Sequence, residues 1–154
     1  MRLHLAVAAL TLGALAAAAA GGKPNFSGAW ILVVARSDFG SSPAPKSMVM
    51  KVDHKEPNIG VHSKTIGAQG ETSSEYKYVT DGRENSNSVG GREIKSHVYW
   101  EGSTLKVSAR TNNGNAVLEF YDDWVLSADR KTLTLTRSIS APQGRVQQRY
   151  VYEQ

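Results

Sequence analysis

No cysteine occurs among the 154 residues. That excludes a disulfide framework, and it excludes an acyl anchor attached at a cysteine behind a leader. Other absences narrow the options further. Basic and acidic side chains alternate along the chain and form no basic block, which argues against a nucleic-acid partner. No segment beyond the first twenty residues carries a helical stripe, and no internal repeat is present. The chain has no Gly-x-Ser-x-Gly, no phosphate-binding loop and no zinc-binding helix. His54, His62 and His97 fall on different expected strands without metal-ligand spacing, and His97 should face solvent. Asp81, Glu84 and Asn85 are oxygen-bearing but lack the pattern of a calcium loop, so neither metal nor cofactor is expected.

What is present begins with a leader. Arg2 supplies a positive start, Leu5 to Leu15 an apolar stretch, and Ala16 to Ala20 small residues of the kind signal peptidases accept. We read 1–20 as a signal peptide and 21–154 as one domain, exported to the periplasm or the extracellular space. A membrane anchor is disfavoured because the stretch is short, alanine-rich and followed by no basic stop-transfer run. Without Arg2 the remaining 17 basic and 14 acidic side chains give a formal charge of +3. A chain of this size buries roughly two thirds of its surface, enough for a monomer held by its core alone.

From Phe26 onward the pattern has period two, with turn residues at intervals typical of all-β domains. Strands are expected near 29–36, 47–54, 59–66, 71–80, 83–89, 92–100, 104–112, 115–126, 132–140 and 145–153. Three hairpins select one inner face. A turn at Gly102-Ser103 sets Trp100 against Leu105 and Val98 against Val107. A turn at Asn113-Gly114 sets Ala109 against Leu118 and Val107 against Phe120. A loop from Ala141 to Gly144 sets Ile139 against Val146 and Leu135 against Tyr150. A one-residue slip would turn every side chain over, so the agreement is informative. The expected fold is all-β: a single antiparallel up-and-down barrel of about ten strands, its edges removed where the first and last strands meet. A two-sheet sandwich is the alternative.

The run Phe26-Ser27-Gly28-Ala29-Trp30 resembles the opening of the calycins, the lipocalins and fatty-acid-binding proteins, whose first strand begins Gly-x-Trp. The segment Arg92-Glu93-Ile94-Lys95-Ser96, continuing to Val98 and through Glu101-Gly102-Ser103-Thr104-Leu105-Lys106-Val107, resembles the middle of a fatty-acid-binding protein. Tyr150-Val151-Tyr152-Glu153 resembles its last strand. The likeness extends to uncharacterised exported bacterial proteins that begin with a similar Phe-Ser-Gly-x-Trp. It implies that Trp30 plugs one end of the barrel while Gly28 lets the chain pass beneath it. Two departures stand out. The family's two-helix lid has no room between 37 and 46, where Pro43 and Pro45 lie, so no helical lid is expected and one mouth is open or plugged by side chains. Where the family places carboxylate-binding arginines, this chain offers Asp122 and Tyr150, although Tyr152 fits the family's tyrosine.

On the inner faces of 115–126 and 132–140, Asp122 and Arg137 are two opposite charges among apolar neighbours. A six-residue connection sets Leu126 against Leu133 and Asp122 against Arg137. One row across five strands then reads Trp100, Leu105, Asp122, Arg137, Gln148. Such a pair either fixes register or anchors a ligand, and the sequence leaves both readings open. On 83–89 both faces are polar, with Asn85 and Asn87 inward, marking a wet gap in the wall or a frayed edge. The leading expectation is a non-enzymatic binding protein holding a small apolar or amphipathic molecule. Its pocket would be lined by Met48, Met50, Tyr76, Tyr78, Val98, Trp100, Phe120, Tyr150 and Tyr152, with Asp122, Arg137 and Gln148 as polar members. The alternative is a barrel filled by its own side chains, acting as a structural or protein-interaction module. An enzyme using Asp122 as general base ranks last, having neither nucleophile nor metal. An interior cavity of several hundred cubic ångströms would separate the first two readings.

Overall fold

The structure, a computed structural model, describes residues 22–154; the leader expected over 1–20 lies outside the described residues. Ten strands form one antiparallel sheet rolled into a barrel: β1 Gly28–Leu32, β2 Ser47–Lys55, β3 Asn58–Gly67, β4 Gly70–Val79, β5 Glu84–Val89, β6 Arg92–Glu101, β7 Thr104–Asn113, β8 Ala116–Leu126, β9 Thr132–Ala141 and β10 Gly144–Glu153. The strand order is β4-β3-β2-β1-β10-β9-β8-β7-β6-β5. One continuous sheet excludes the two-sheet sandwich. The only helical element among the described residues is the short 3-10 turn Val34–Arg36. No helix among them is long and apolar enough to cross a membrane.

Alternation along each strand builds the core, because inward residues are apolar while their neighbours meet water. Phe26, Trp30, Ile59, Val98, Leu105 and Leu133 are each at most 1 % exposed. They cluster at the end of the barrel that carries the β2–β3, β6–β7 and β8–β9 turns. This end is closed. Beyond Trp30 the strand alternates, with Ile31 outward at 57 % exposure and Leu32 inward in the core.

The first strand is shorter than the expected 29–36. Val33 N–H still donates to Val151 O (2.8 Å), but the chain then turns, and Arg36 N–H donates back to Val33 O. Ser37 causes much of this. Its hydroxyl donates to Val33 O and accepts the Val151 N–H (2.9 Å each), filling the ladder position the backbone has vacated. At Asp38 the backbone rejoins Arg149 through a reciprocal pair of 2.7 Å hydrogen bonds. Past that point Phe39 is buried with its ring edge-on to Tyr150, 5.5 Å between centroids. Among the described residues no two-helix lid covers this second end; there the segment from Phe39 to Ser42 runs over the inward side chain of Gln148.

Three hairpin registers match expectation: Trp100 faces Leu105, Asp122 faces Arg137, and Ile139 faces Val146. The fourth differs. Ala109 lies against Phe120 and Val107 against Asp122, two residues from the expected pairing. Gly114 takes a positive φ of 65° while Asn113 and Asn115 do not, so the turn residues are Gly114-Asn115 rather than Asn113-Gly114. Glycine at the first central position is the requirement of a II′ turn, whereas I′ needs positive φ at both. A shift of two keeps every side chain on its face, which is why facing patterns could not detect it. The polar row therefore runs Val98, Val107, Asp122, Arg137, Gln148, and Trp100 and Leu105 belong one step nearer the closed end beside Trp124 and Leu135.

The first and last strands do meet, with Ile31 opposite Glu153. The seam lies elsewhere, between β4 and β5, which share no backbone ladder. Two asparagine amides span it. Lys77 N–H donates to Asn87 Oδ1 (2.7 Å), and Asn87 Nδ2 donates to Lys77 O (3.0 Å). Val79 N–H donates to Asn85 Oδ1 (2.6 Å), and Asn85 Nδ2 to Val79 O (3.3 Å). Each side-chain amide thus stands in for a strand peptide group, one side-chain length further out. Asn85→Ala should destabilise the barrel by about 1–3 kcal/mol, the cost of leaving the Val79 donor and acceptor unmet. Hydrogen exchange at Val79 should accelerate with it. Unchanged exchange there would mean that the wall does not depend on this amide.

Candidate functional site

The closed end is organised around Phe26. Its ring forms a mutually packed trio with His54 and Trp100, at 5.8 and 5.7 Å with 6.1 Å between the other two, and meets Trp124 edge-on. Trp30 Nε1–H donates to Phe26 O (2.9 Å). The buried His54 ring accepts the Phe26 N–H at Nδ1 (3.1 Å), which leaves Nε2 as the donor to Glu56 (2.9 Å). Glu56 also accepts from Trp100 Nε1 and from the Thr80 hydroxyl, both 2.9 Å. Burial would raise the Glu56 carboxyl pKa, but these donors together with Lys23 hold it below the usual range. Gly28 adopts a φ of 147°, a conformation side chains rarely take; Gln154 beneath it is a flexible neighbour, so the backbone rather than crowding demands glycine. The sequence reading missed the roles of Phe26, His54 and Glu56 altogether.

Above this plug lies a cavity of about 340 Å³, within the range typical of small-molecule sites. Met48, Met50, Tyr76, Tyr78, Phe120, Asp122, Arg137, Tyr150 and Tyr152 line it. Val98, Trp100 and Gln148 do not. Val98 is sealed in the core, and Trp100 is tied to Glu56 at the closed end. Gln148 is buried beneath the β1–β2 connection, where its amide donates to Phe39 O and Ser42 Oγ (3.1 Å each) and accepts the Tyr150 hydroxyl (2.8 Å). Further lining residues, among them Val61, Ile94, Val107, Leu118, Trp124 and Leu135, sit at inward positions of β3, β6, β7, β8 and β9. Alternation alone would have found them. Arg92, on the rim beside the β5–β6 turn, shares the inward parity of Ile94 and Val98 but is exposed at the strand end.

The cavity has one ion pair. Arg137 grips Asp122 with two parallel hydrogen bonds, Nε to Oδ1 at 2.8 Å and Nη2 to Oδ2 at 2.7 Å. Asp122 is 6 % exposed and Arg137 33 %, the latter within the cavity it lines. The guanidinium lies 5.6 Å from the Phe120 ring and 6.0 Å from that of Tyr150, distances at which cation and π face attract. Burial works against the charged guanidinium, and the adjoining Asp122 carboxylate overrides it, pushing the Arg137 pKa up. The histidines hold no metal geometry: among the described residues no three His, Asp or Glu side chains could share an ion. Asp81 spends its carboxylate on Arg83, and Asn85 bridges the wall.

Burial also raises the phenol pKa of Tyr76, Tyr78, Tyr150 and Tyr152, with nearby Arg137 pulling the other way. Below the ordinary phenol range near 10, folded and unfolded chains both keep these protons, and stability is indifferent to pH on their account. Above it the unfolded chain loses protons that the folded chain retains, so stability falls as pH rises. The loss should be about 1.4 kcal/mol per pH unit for each of the buried Tyr78 and Tyr152, and less for the half-buried Tyr76 and Tyr150, whose rings are better screened. Denaturant unfolding from pH 9 to 11 measures this. Tyr78→Phe should flatten the fall; an equal slope in that variant would show that Tyr78 is not a proton-retaining group.

No protein-family model and no curated protein matches the chain. Solved structures do. A secretory abundant heat soluble protein from Ramazzottius varieornatus superposes with a TM-score of 0.60 at 16 % identity, covering 86 % of this chain and 96 % of that one. Zebrafish ileal bile acid-binding protein complexed with cholic acid gives 0.61 at 16 %, covering 84 % and 98 %. The fatty-acid-binding protein of Manduca sexta gives 0.51 at 15 %, covering 83 % and 98 %. These likenesses concern the fold, and the fold they establish is the calycin-like barrel.

Proposed function

We propose that this chain is an exported, monomeric binding protein that holds a small, mostly apolar molecule inside its barrel. The observation that carries the reading is the cavity of about 340 Å³, walled by apolar and aromatic side chains and given a single compensated ion pair. Apolar walls with few convergent polar groups are what small-molecule sites have in common. The calycin-like neighbours that carry binding-protein names, for bile acid and for fatty acid, point the same way. Export rests on the leader over 1–20, and the alternation of charge makes nucleic acid a poor partner. Met48, Met50, Tyr76, Tyr78, Phe120, Tyr150 and Tyr152 would form the apolar and aromatic wall, with Asp122 and Arg137 as its polar anchor.

Native mass spectrometry of the protein recovered from its host tests both halves of the proposal. The expected result is a mature monomer beginning near Gly21, carrying one small molecule that is released on unfolding. An intact leader recovered in membranes would remove export. A mature protein with no bound molecule, and no uptake of any apolar probe, would leave the barrel as a self-filled interaction module.

A further inference from the structure

We infer that the cavity selects an uncharged amphipathic molecule whose head is a hydroxyl or a carbonyl, and discriminates against a carboxylate anion of the same chain length; this rests on the ligand-holding role proposed above. The reason is the charge balance of the polar row. A carboxylate ligand needs a cation with charge to spare, and Arg137 has none. Both oxygens of Asp122 are engaged by it in fork geometry, so the pair sums to zero. A second carboxylate drawn alongside would leave the row with one uncompensated negative charge in a buried site, an arrangement that is disfavoured unless a further cation pairs with it. It would also face Asp122 as a like charge. Among the described residues, the one other charged side chain lining the cavity is Arg92, exposed on the rim, where an ion pair contributes little.

A neutral head meets the same groups without penalty. Guanidinium carries five N–H donors, of which two are committed to Asp122, so donors remain for a ligand oxygen. A hydroxyl could in addition donate to a spare lone pair of Asp122. The four cavity phenols, which burial keeps protonated, add polarity and no charge. The rings of Phe120 and Tyr150 beside Arg137 hold the guanidinium on its partner.

The test titrates the full mature protein, freed of bound lipid, with a long-chain fatty alcohol and with the fatty acid of equal chain length, followed by tryptophan fluorescence and calorimetry. At neutral pH the alcohol should bind at least about tenfold more tightly than the acid. Asp122→Asn, which frees the Arg137 charge, should shift that ratio toward the acid by about tenfold or more, while the charge-free pair Asp122→Asn/Arg137→Met should bind both ligands more weakly and show no shift toward the acid. Should Asp122→Asn fail to fold, the wild-type protein still decides. Lowering the pH until the fatty acid is protonated should bring its affinity up toward that of the alcohol. Acid binding as tight as alcohol binding at neutral pH would overturn the selectivity and leave the ligand-holding role intact. Binding of neither would remove both.

Discussion

Arg137→Met should destabilise the barrel by about 3–5 kcal/mol, because it strands a carboxylate in the interior. Asp122 is 6 % exposed, and both of its oxygens accept from Arg137, so the substitution removes the partner of each. Asp122→Asn should fall at the lower end of the same range. The guanidinium it leaves behind is one third accessible within the cavity and keeps the Phe120 and Tyr150 rings beside it. The double variant should recover much of the loss, since groups in direct contact are not additive. Denaturant unfolding of the two single variants and the double variant measures all three values. Simple addition would mean that the two residues do not touch, and would contradict the pairing of β8 with β9. If the double variant folds well and still retains its bound molecule, the pair is structural only and anchors no ligand.

Trp30→Ala should cost about 3–5 kcal/mol, as large aromatic truncations in cores do. Trp30 is 1 % exposed, and its indole N–H is the donor that satisfies Phe26 O. Removing it therefore opens a void and leaves a buried carbonyl without a partner. The damage should spread, because Phe26 stacks on His54 and Trp100 and so organises the whole closed end. Trp30→Phe keeps most of the packing and should cost only about 1 kcal/mol, chiefly the lost hydrogen bond. A loss below about 1 kcal/mol for the alanine variant, the scale of surface changes, would show that this end is not held as described.

How much of this was legible beforehand depended on the kind of information each feature carries. The inner faces were readable because strand periodicity is strict: Asp122, Arg137, Tyr150 and Tyr152 could only point one way once the hairpins agreed. The Gly114 turn was misplaced because a slip of two preserves that periodicity, and only backbone geometry separates Gly-Asn from Asn-Gly. The break after Leu32 depends on one serine hydroxyl taking over a ladder position, something no propensity scale records. Asn85 and Asn87 drew attention as inward polar residues, but their use as a substitute strand depends on where β4 happens to pass. The cluster of Phe26, His54, Glu56, Thr80 and Trp100 joins residues far apart in the chain, with His54 and Trp100 separated by 46 positions. Pairwise patterns along strands do not reach that far.

The place of β1 and β10 at the centre of the sheet has a kinetic consequence. The strand order splits the chain into two meanders, β1 to β4 and β5 to β10, whose closest neighbours in sequence are also neighbours in space. The join between them is made by the most distant partners available, Ile31 with Glu153 and Leu32 with Tyr152. Each meander can form local hairpins on its own, but the cylinder cannot close until the last strand meets the first. Folding must therefore pass through a loop closure spanning nearly the whole described chain, which places it among slow, non-local topologies completing in milliseconds to seconds rather than microseconds. Until then β1 and β10 are both open edges, the interval in which such a chain is most exposed to mispairing with another copy of itself.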